Sequence, residues 1–157
     1  MTAGTEHDRE PDSDLVSIIM PTYNCGAFIA ETIATVQAQT HPRWELIVVD
    51  DCSTDDTTDV VGALAKDDPR IRYVRLETNS GAAMARNRAM ELAQGRYMAF
   101  LDSDDLWHPD KLRRQIDFMT SRDVAMSCTA YAQIDEQGVP TGRIVRSPAR
   151  ISYNRLL

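Results

Sequence analysis

The chain is short of the residues that would mark a nucleic-acid binder, a disulfide scaffold or a membrane span. It sets 17 Lys and Arg against 24 Asp and Glu, a net charge of −7. That deficit of cations disfavours non-specific contact with nucleic acid, which depends on neutralising phosphates. An anionic ligand would need a local remedy instead, such as a metal ion or helix N-termini. The 3 cysteines, Cys25, Cys52 and Cys128, are odd in number, far apart and without C-x-x-C spacing. They point to a reduced compartment without structural zinc. No apolar run approaches the length of a membrane span. The polar, acidic opening, residues 1–14, lacks the apolar core of a signal peptide and is read as a disordered tail. One domain, residues 15–157, follows it and is long enough to bury a core. No G-x-G-x-x-G follows the first strand-like run, and no G-x-x-x-x-G-K-[ST] exists. A dinucleotide fold of that kind and a P-loop NTPase are therefore unsupported. Internal repeats and low-complexity segments are absent too.

What the chain does have is alternation. Leu15–Met20 is a short apolar run that Pro21 is expected to stop. Residues 26–39 read as a helix with Ile29, Ile33 and Val36 on one face, closed by Pro42. Trp44–Val49 is a second strand. Asp50–Asp56 is a polar turn in which Asp55 and Asp56 are expected to act as N-caps for a helix carrying Val60, Val61 and Leu64. Ile71–Leu76 alternates like a strand with one polar face. Asn79-Ser80-Gly81 opens a helix that carries Met84, Ala85, Ala89 and Leu92, with Gly95 as its C-terminal stop. Tyr97–Leu101 is the fourth strand. Pro109 suits the first turn of a helix that buries Leu112, Ile116 and Met119. Val124–Ile134 reads as a further strand and Glu136-Gln137-Gly138 as a turn. Beyond it, Pro140, Arg143, Arg146, Pro148 and Arg150 show no clear element. The methionines read as gap-filling apolar residues.

Four strand–helix alternations predict an α/β sandwich with a mainly parallel sheet. In such sheets ligands bind beyond the C-terminal ends of the strands. Every conspicuous polar cluster falls there: Pro21-Thr22-Tyr23-Asn24, Asp50-Asp51, Asn79-Ser80-Gly81 and Asp102-Ser103-Asp104-Asp105. The last sets three carboxylates within four residues at the end of a buried strand, where charges repel and lose water. A divalent cation relieves that cost, and carboxylates suit Mg²⁺ or Mn²⁺. A solvated turn with a helix cap is the plainer account of this cluster taken alone. Together the four clusters suit a nucleoside diphosphate, with Tyr23 placed to stack on a base. Several residues have plain structural readings. Asp50 caps its turn, and Asn24 bonds its own turn backbone. His108 is read as sitting just before the Pro109 helix start and pointing away rather than as a metal ligand, and Trp107 as core or rim packing rather than a sugar platform. Arg86 is as readily an ion-pair partner of a rim carboxylate as a ligand contact.

Four segments carry a family resemblance: V-S-I-I-M-P-T-Y-N (residues 16–24), W-E-L-I-V-V-D-D-C-S-T-D-D-T (44–57), N-S-G-A-A-M-A-R-N (79–87) and Y-M-A-F-L-D-S-D-D-L-W-H-P (97–109). In order and spacing they resemble the N-terminal half of a family 2 glycosyltransferase of the GT-A fold, with bacterial polysaccharide enzymes of the teichuronic-acid type nearest. The resemblance covers residues 15–134. It implies a GT-A, Rossmann-like three-layer sandwich that binds a nucleotide-sugar donor, a UDP-sugar first, with Mg²⁺ or Mn²⁺. Pro21, Thr22 and Tyr23 would border the base, Asp51 would read the uracil N–H, and Gly81 would pass near the base. Arg86 belongs to the A-R-N block. Asp102 and Ser103 open the D-x-D motif on the ribose side, and Asp104 would be the metal ligand. The implied reaction is inverting sugar transfer to the hydroxyl of an acceptor whose identity the sequence leaves open. It would serve cell-surface polysaccharide synthesis, in the cytoplasm or peripherally at the inner membrane face.

The resemblance has a gap. An inverting transferase needs a general base, and in this family that is an aspartate of a second half, often within an E-D pair. The only late acidic pair is Asp135-Glu136, which reads as a hairpin turn, so no residue is assigned as catalytic. The chain is therefore expected to be a truncated donor half, with self-association through the sheet edge this leaves. A nucleotide-sugar-binding module without transfer is the alternative. A nucleotidyltransferase ranks last, because Pro21–Gly26 is not a Gly-rich basic phosphate loop.

Overall fold

The structure is a computed structural model that describes residues 14–135 and 137–146. The expected disordered tail up to residue 13, Glu136, Pro148 and Arg150 lie outside the described residues. The chain divides into two compact units, residues 1–113 and 114–157.

In the first unit β1 (Val16–Thr22), α1 (Gly26–Gln37), β2 (Trp44–Asp50), α2 (Thr57–Asp67), β3 (Ile71–Arg75), α3 (Ala82–Leu92) and β4 (Tyr97–Phe100) follow in order. A further helix, α4 (Lys111–Arg122), begins at the end of this unit. The strands make one parallel sheet in the order β3-β2-β1-β4. Every residue of β1 is buried and nearly every one of β2, as expected of central strands covered on both faces. Ala85 and Ala89 of α3 pack on Ile19, Ile47 and Val49. Alternation sends Ile18, Met20, Leu46 and Val48 to the opposite face. Ile29, Ile33 and Val36 of α1 and Val61 of α2 are fully buried. The α/β sandwich with a parallel sheet is thus as the alternation predicts.

The strand order places the site. The chain steps from β1 to β2 to β3 in one direction and then returns to lay β4 on the other side of β1. The ends of β1 and β4 therefore diverge into a crevice, the kind of switch point at which open α/β sheets bind ligands.

Several expectations need correction. Pro21 does not end β1; it lies within the strand, opposite Val49. The Ile19 carbonyl accepts Leu101 N–H on the β4 side, so by alternation the nitrogen of residue 21 also faces that side. There β4 has already ended, and the missing N–H leaves no partner unsatisfied. Gly95 is not the helix stop, since α3 ends at Leu92. A Cβ at Gly95 would lie 2.7 Å from both the Leu15 carbonyl oxygen and the Ser17 nitrogen, so glycine is required by close approach to β1. Pro109 stands two residues before α4 rather than in its first turn. Met84 and Met98 are exposed and fill no gap, although Met20 is buried. Asp56 makes no side-chain cap. Asp55 instead accepts N–H groups from Thr57 (3.1 Å) and, on α1, from Gly26 (3.0 Å), so one carboxylate serves two helix starts.

In the second unit residues 124–130 form no strand. Only β5 (Tyr131–Ile134) does, and it pairs antiparallel with β6 (Pro140–Val145), an element the sequence reading missed. Pro140 and Gly142 masked it, since both are poor strand formers. The expected turn is present in its described part: the Asp135 carboxylate accepts N–H groups from Gln137 and Val139, and Gly138 has φ 76°.

Two glycine substitutions test the packing. Gly95→Ala is expected to cost about 1–3 kcal/mol, because backbone must move to admit the methyl group. Gly62→Ala, in α2 with no atom within 4 Å of the new Cβ, is expected to stabilise by roughly 0.5–1 kcal/mol. Urea midpoints at unchanged m-values measure both.

Candidate functional site

The loops at the crevice are built mainly from side chains that satisfy each other's backbones. After β1, Asn24 takes φ 51°, and its Oδ1 accepts Thr54 N–H at 2.8 Å. It therefore bonds the loop after β2, not its own turn as expected. Asn24 N–H donates to Ser53 Oγ (2.9 Å) and Cys25 N–H to Thr57 Oγ1 (2.9 Å). The β1 and β2 loops are thus stitched together residue by residue.

Asp50 anchors this assembly. Its carboxylate is fully buried and accepts from Ser53 N–H (2.9 Å), Ser53 Oγ, Thr58 Oγ1 (3.3 Å) and Tyr73 Oη (2.7 Å). Arg75 reaches over the same group, donating to the Ser53 carbonyl (2.7 Å) and Thr58 Oγ1 (2.9 Å). The structural role read for Asp50 is the one its geometry fits. Asp51, next along, is 3 % exposed. Its two oxygens accept Ser80 N–H and Gly81 N–H, each at 2.7 Å. A carboxylate oxygen can accept two hydrogen bonds, so each retains acceptor capacity. Gly81 has φ 88°, where a side chain would be strained, and it opens α3.

An open cleft of about 490 Å³ is lined by Pro21, Thr22, Tyr23, Asp51, Arg86, Asp102, Ser103 and Asp104, together with Cys25 and Ala82. Eight of the nine residues singled out from the sequence converge there; the ninth, Gly81, lies behind Asp51 as its hydrogen-bond donor. Neither Cys25 nor Ala82 was expected there: Cys25 was read only for its spacing from the other cysteines, and Ala82 carries no polar group. Thr22 is 3 % exposed, and its Oγ1 is buried with no hydrogen-bond partner among the described residues. Such an orphan hydroxyl on a cleft wall is a ready contact for a polar ligand. Tyr23 is half exposed and open to stacking.

Arg86 Nη2 lies 2.6 Å from Asp102 Oδ1 in a solvent-accessible pair. Arg86 thus makes the ion pair with a rim carboxylate that the sequence allowed. Asp105 is held above the usual carboxylate range, first by partial burial and then by the charges of Asp104 and Asp102. Asp104 is exposed, and no hydrogen bond from the described residues engages it. Among the described residues no cluster of three or more His, Cys, Asp or Glu forms a full metal cage. The donors present suit a Mg²⁺-type ion, which takes one or two carboxylates and completes its shell with phosphate and water. His108 Nδ1 accepts Asp110 N–H, and Trp107 lies beneath Lys111 Nζ, 3.3 Å from the ring centroid. Both side chains are thereby engaged locally.

Residues 17–156 match the family model described as glycosyl transferase family 2. The chain belongs to that family. It is 50 % identical over 143 residues to TuaG of Bacillus subtilis, a glycosyltransferase assigned to teichuronic acid biosynthesis, covering 91 % of this chain and 57 % of TuaG. The chain thus spans little more than half the length of that relative. Among solved structures, Staphylococcus aureus TarS 1–349 in complex with UDP-GlcNAc superimposes with a TM-score of 0.65 at 35 % identity, over 69 % of this chain and 32 % of that one. The mannosyltransferase PcManGT of Pyrobaculum calidifontis, in complex with GDP-Man and Mn²⁺, gives 0.63 at 29 % identity, over 77 % and 35 %. No helix among the described residues is long and apolar enough to cross a membrane.

The Asp50 hub has a titration signature. Burial, then the hydrogen bond to Asp50, pushes the Tyr73 hydroxyl up to about 12 from an ordinary 10.0. The folded pKa is the higher one, so Tyr73's contribution to stability is whole below pH 10 and lost as pH rises from 10 to about 12. Ultraviolet titration should show a late phenolate phase, and Tyr73→Phe should remove it.

Proposed function

We propose that this chain is the donor-binding part of a glycosyltransferase, and that its cleft holds a nucleoside-diphosphate sugar, a UDP-sugar first, with Mg²⁺ or Mn²⁺. The observation that carries this is the convergence at the β1/β4 switch point of an orphaned buried hydroxyl, Thr22, a buried carboxylate, Asp51, and the exposed acids Asp102 and Asp104. In this reading Asp51 accepts the base N–H with its remaining lone pairs, and Thr22 and Pro21 border the base. Tyr23 stacks on the base, and Gly81 holds Asp51 in place. Asp102 and Ser103 lie toward the ribose, and Arg86 is positioned to exchange its carboxylate for a phosphate. Asp104 would hold the divalent ion, which when bound screens the diphosphate charge and eases its departure. TarS and PcManGT, with their UDP-GlcNAc and GDP-Man/Mn²⁺ complexes, support a nucleotide sugar in this fold.

The complete reaction proposed is inverting transfer to an acceptor hydroxyl in cell-surface polysaccharide synthesis; the relation to TuaG, named for teichuronic acid biosynthesis, supports the polysaccharide setting. It is placed in the cytoplasm or peripherally at the inner membrane face, because nucleotide sugars reside in the cytoplasm. No residue of this chain is assigned as the general base. The second reading is a nucleotide-sugar-binding module without transfer. Release of free nucleotide from the donor in the presence of acceptor separates the two. Self-association is proposed at β4, an edge strand on which Met98 and Phe100 expose apolar surface. Sedimentation showing only monomer at high concentration would refute it.

Calorimetry with UDP, GDP and CDP, with and without Mn²⁺, tests the site. Mn²⁺ is expected to tighten UDP binding about ten-fold or more, and Asp104→Ala to remove that gain while leaving metal-free binding within about two-fold. UDP affinity that ignores Mn²⁺, or a Mn²⁺ gain that survives Asp104→Ala, would overturn the metal assignment.

A further inference from the structure

The acidic loop is held from behind by one helix. Residues 101–110, between β4 and α4, contain no strand or helix. They have few backbone bonds of their own: Asp105 N–H reaches the Asp102 carbonyl, and the His108 carbonyl accepts Lys111 N–H. Side chains of α1 and the residues just after it supply much of the remaining support. Thr32 Oγ1 donates to the Ser103 carbonyl at 3.0 Å. Thr35 Oγ1 accepts Trp107 N–H at 3.2 Å. Gln39 Nε2 donates to the His108 carbonyl at 2.9 Å, while its Oε1 accepts Leu112 N–H at 3.0 Å. Thr40 N–H donates to the Pro109 carbonyl at 2.9 Å. Thr32, Thr35 and Gln39 recur at i, i+3, i+7, so they share one face of the helix direction.

Thr32 is the unusual member. It is fully buried on the same stripe as Ile29, Ile33 and Val36, where a hydroxyl is costly unless bonded. A mid-helix threonine ordinarily bonds back to its own turn. Thr32 instead bonds a carbonyl 71 residues away, and that carbonyl belongs to the residue between Asp102 and Asp104. Fixing the Ser103 peptide restricts the backbone on both sides of it, and so the separation of two carboxylates that repel each other.

We propose that Thr32 and Gln39 are positioning residues for the acidic cluster: their hydrogen bonds to the loop backbone pre-organise Asp102 and Asp104 for a cation and its phosphate ligand. The proposal rests on the reading that Asp104 holds a metal. Pre-organisation of this kind raises affinity by removing an ordering cost that the ligand would otherwise meet.

The test pairs Thr32→Val with Thr32→Ser in the full 157-residue chain and reads two quantities. In metal-free protein, hydrogen–deuterium exchange of the 102–110 segment is expected to rise about ten-fold in Thr32→Val, while β2 amides stay within about two-fold. Mn²⁺-dependent UDP affinity, by calorimetry, is expected to fall about five- to ten-fold, with metal-free UDP affinity unchanged. Thr32→Ser, which keeps the hydroxyl, should restore both. Wild-type exchange in Thr32→Val, or equal loss of metal-free and metal-dependent affinity, overturns the proposal. If Thr32→Val loses protection throughout the chain, Gln39→Met is read in its place by the same criteria. If wild type shows no Mn²⁺ effect, the metal reading fails, while the exchange measurement still decides whether these side chains order the loop.

Discussion

A carboxylate with no exposed surface, Asp50, closes β2, one of the two buried central strands of the sheet. An ionised group in that position costs several kcal/mol unless donors surround it. The fold meets this demand by drawing Ser53, Thr58 and Tyr73 onto the carboxylate, with Arg75 bridging Ser53 and Thr58 above. The loop after β2 is consequently tied both to the start of α2 and to β3. Asp51 and Asn24 inherit their places from that loop. Removing a partner from such a network leaves a buried group unsatisfied, so the hub holds or fails as a unit.

The crevice is therefore made less by regular secondary structure than by side-chain-to-backbone bonds between loops. Asp51 holds the start of α3, Asn24 and Asp55 hold the β1 and β2 loops against each other, and Thr32 holds the acidic loop. Such bonds replace water on groups that no helix or strand can pair. They leave a wall with few free polar atoms, among them the Thr22 hydroxyl and the Asp104 carboxylate. A site whose other groups are already engaged keeps its geometry before the ligand arrives.

Much of this was legible. The apolar runs Leu15–Met20 and Trp44–Val49 are long enough to read as strands, and residues of the polar clusters after β1, β2 and β4 line one cleft, with the cluster after β3 holding Asp51 from behind. The misses share a cause. Pro21 is tolerated because β4 ends before reaching it, and Gly95 matters because β1 passes 2.7 Å from where its Cβ would be. Neither fact is local. Thr32 carried one readable signal, a polar residue on an otherwise apolar helical stripe, but its partner lies 71 residues away. β6 was hidden by its proline and glycine, and only pairing with β5 makes it a strand.

Composition, periodicity and the four motif segments determined by themselves the α/β class, the order of elements from β1 to α4 and the family, because each rests on nearest neighbours along the chain. Tertiary structure alone decided which carboxylate is buried, which is paired and which is open: Asp50 in its cage, Asp51 on two amides, Asp102 against Arg86, Asp104 exposed on the cleft wall. Four aspartates identical in chemistry differ only in which donors surround them and how much water reaches them. Those are properties of packing between distant segments, and no local pattern records them.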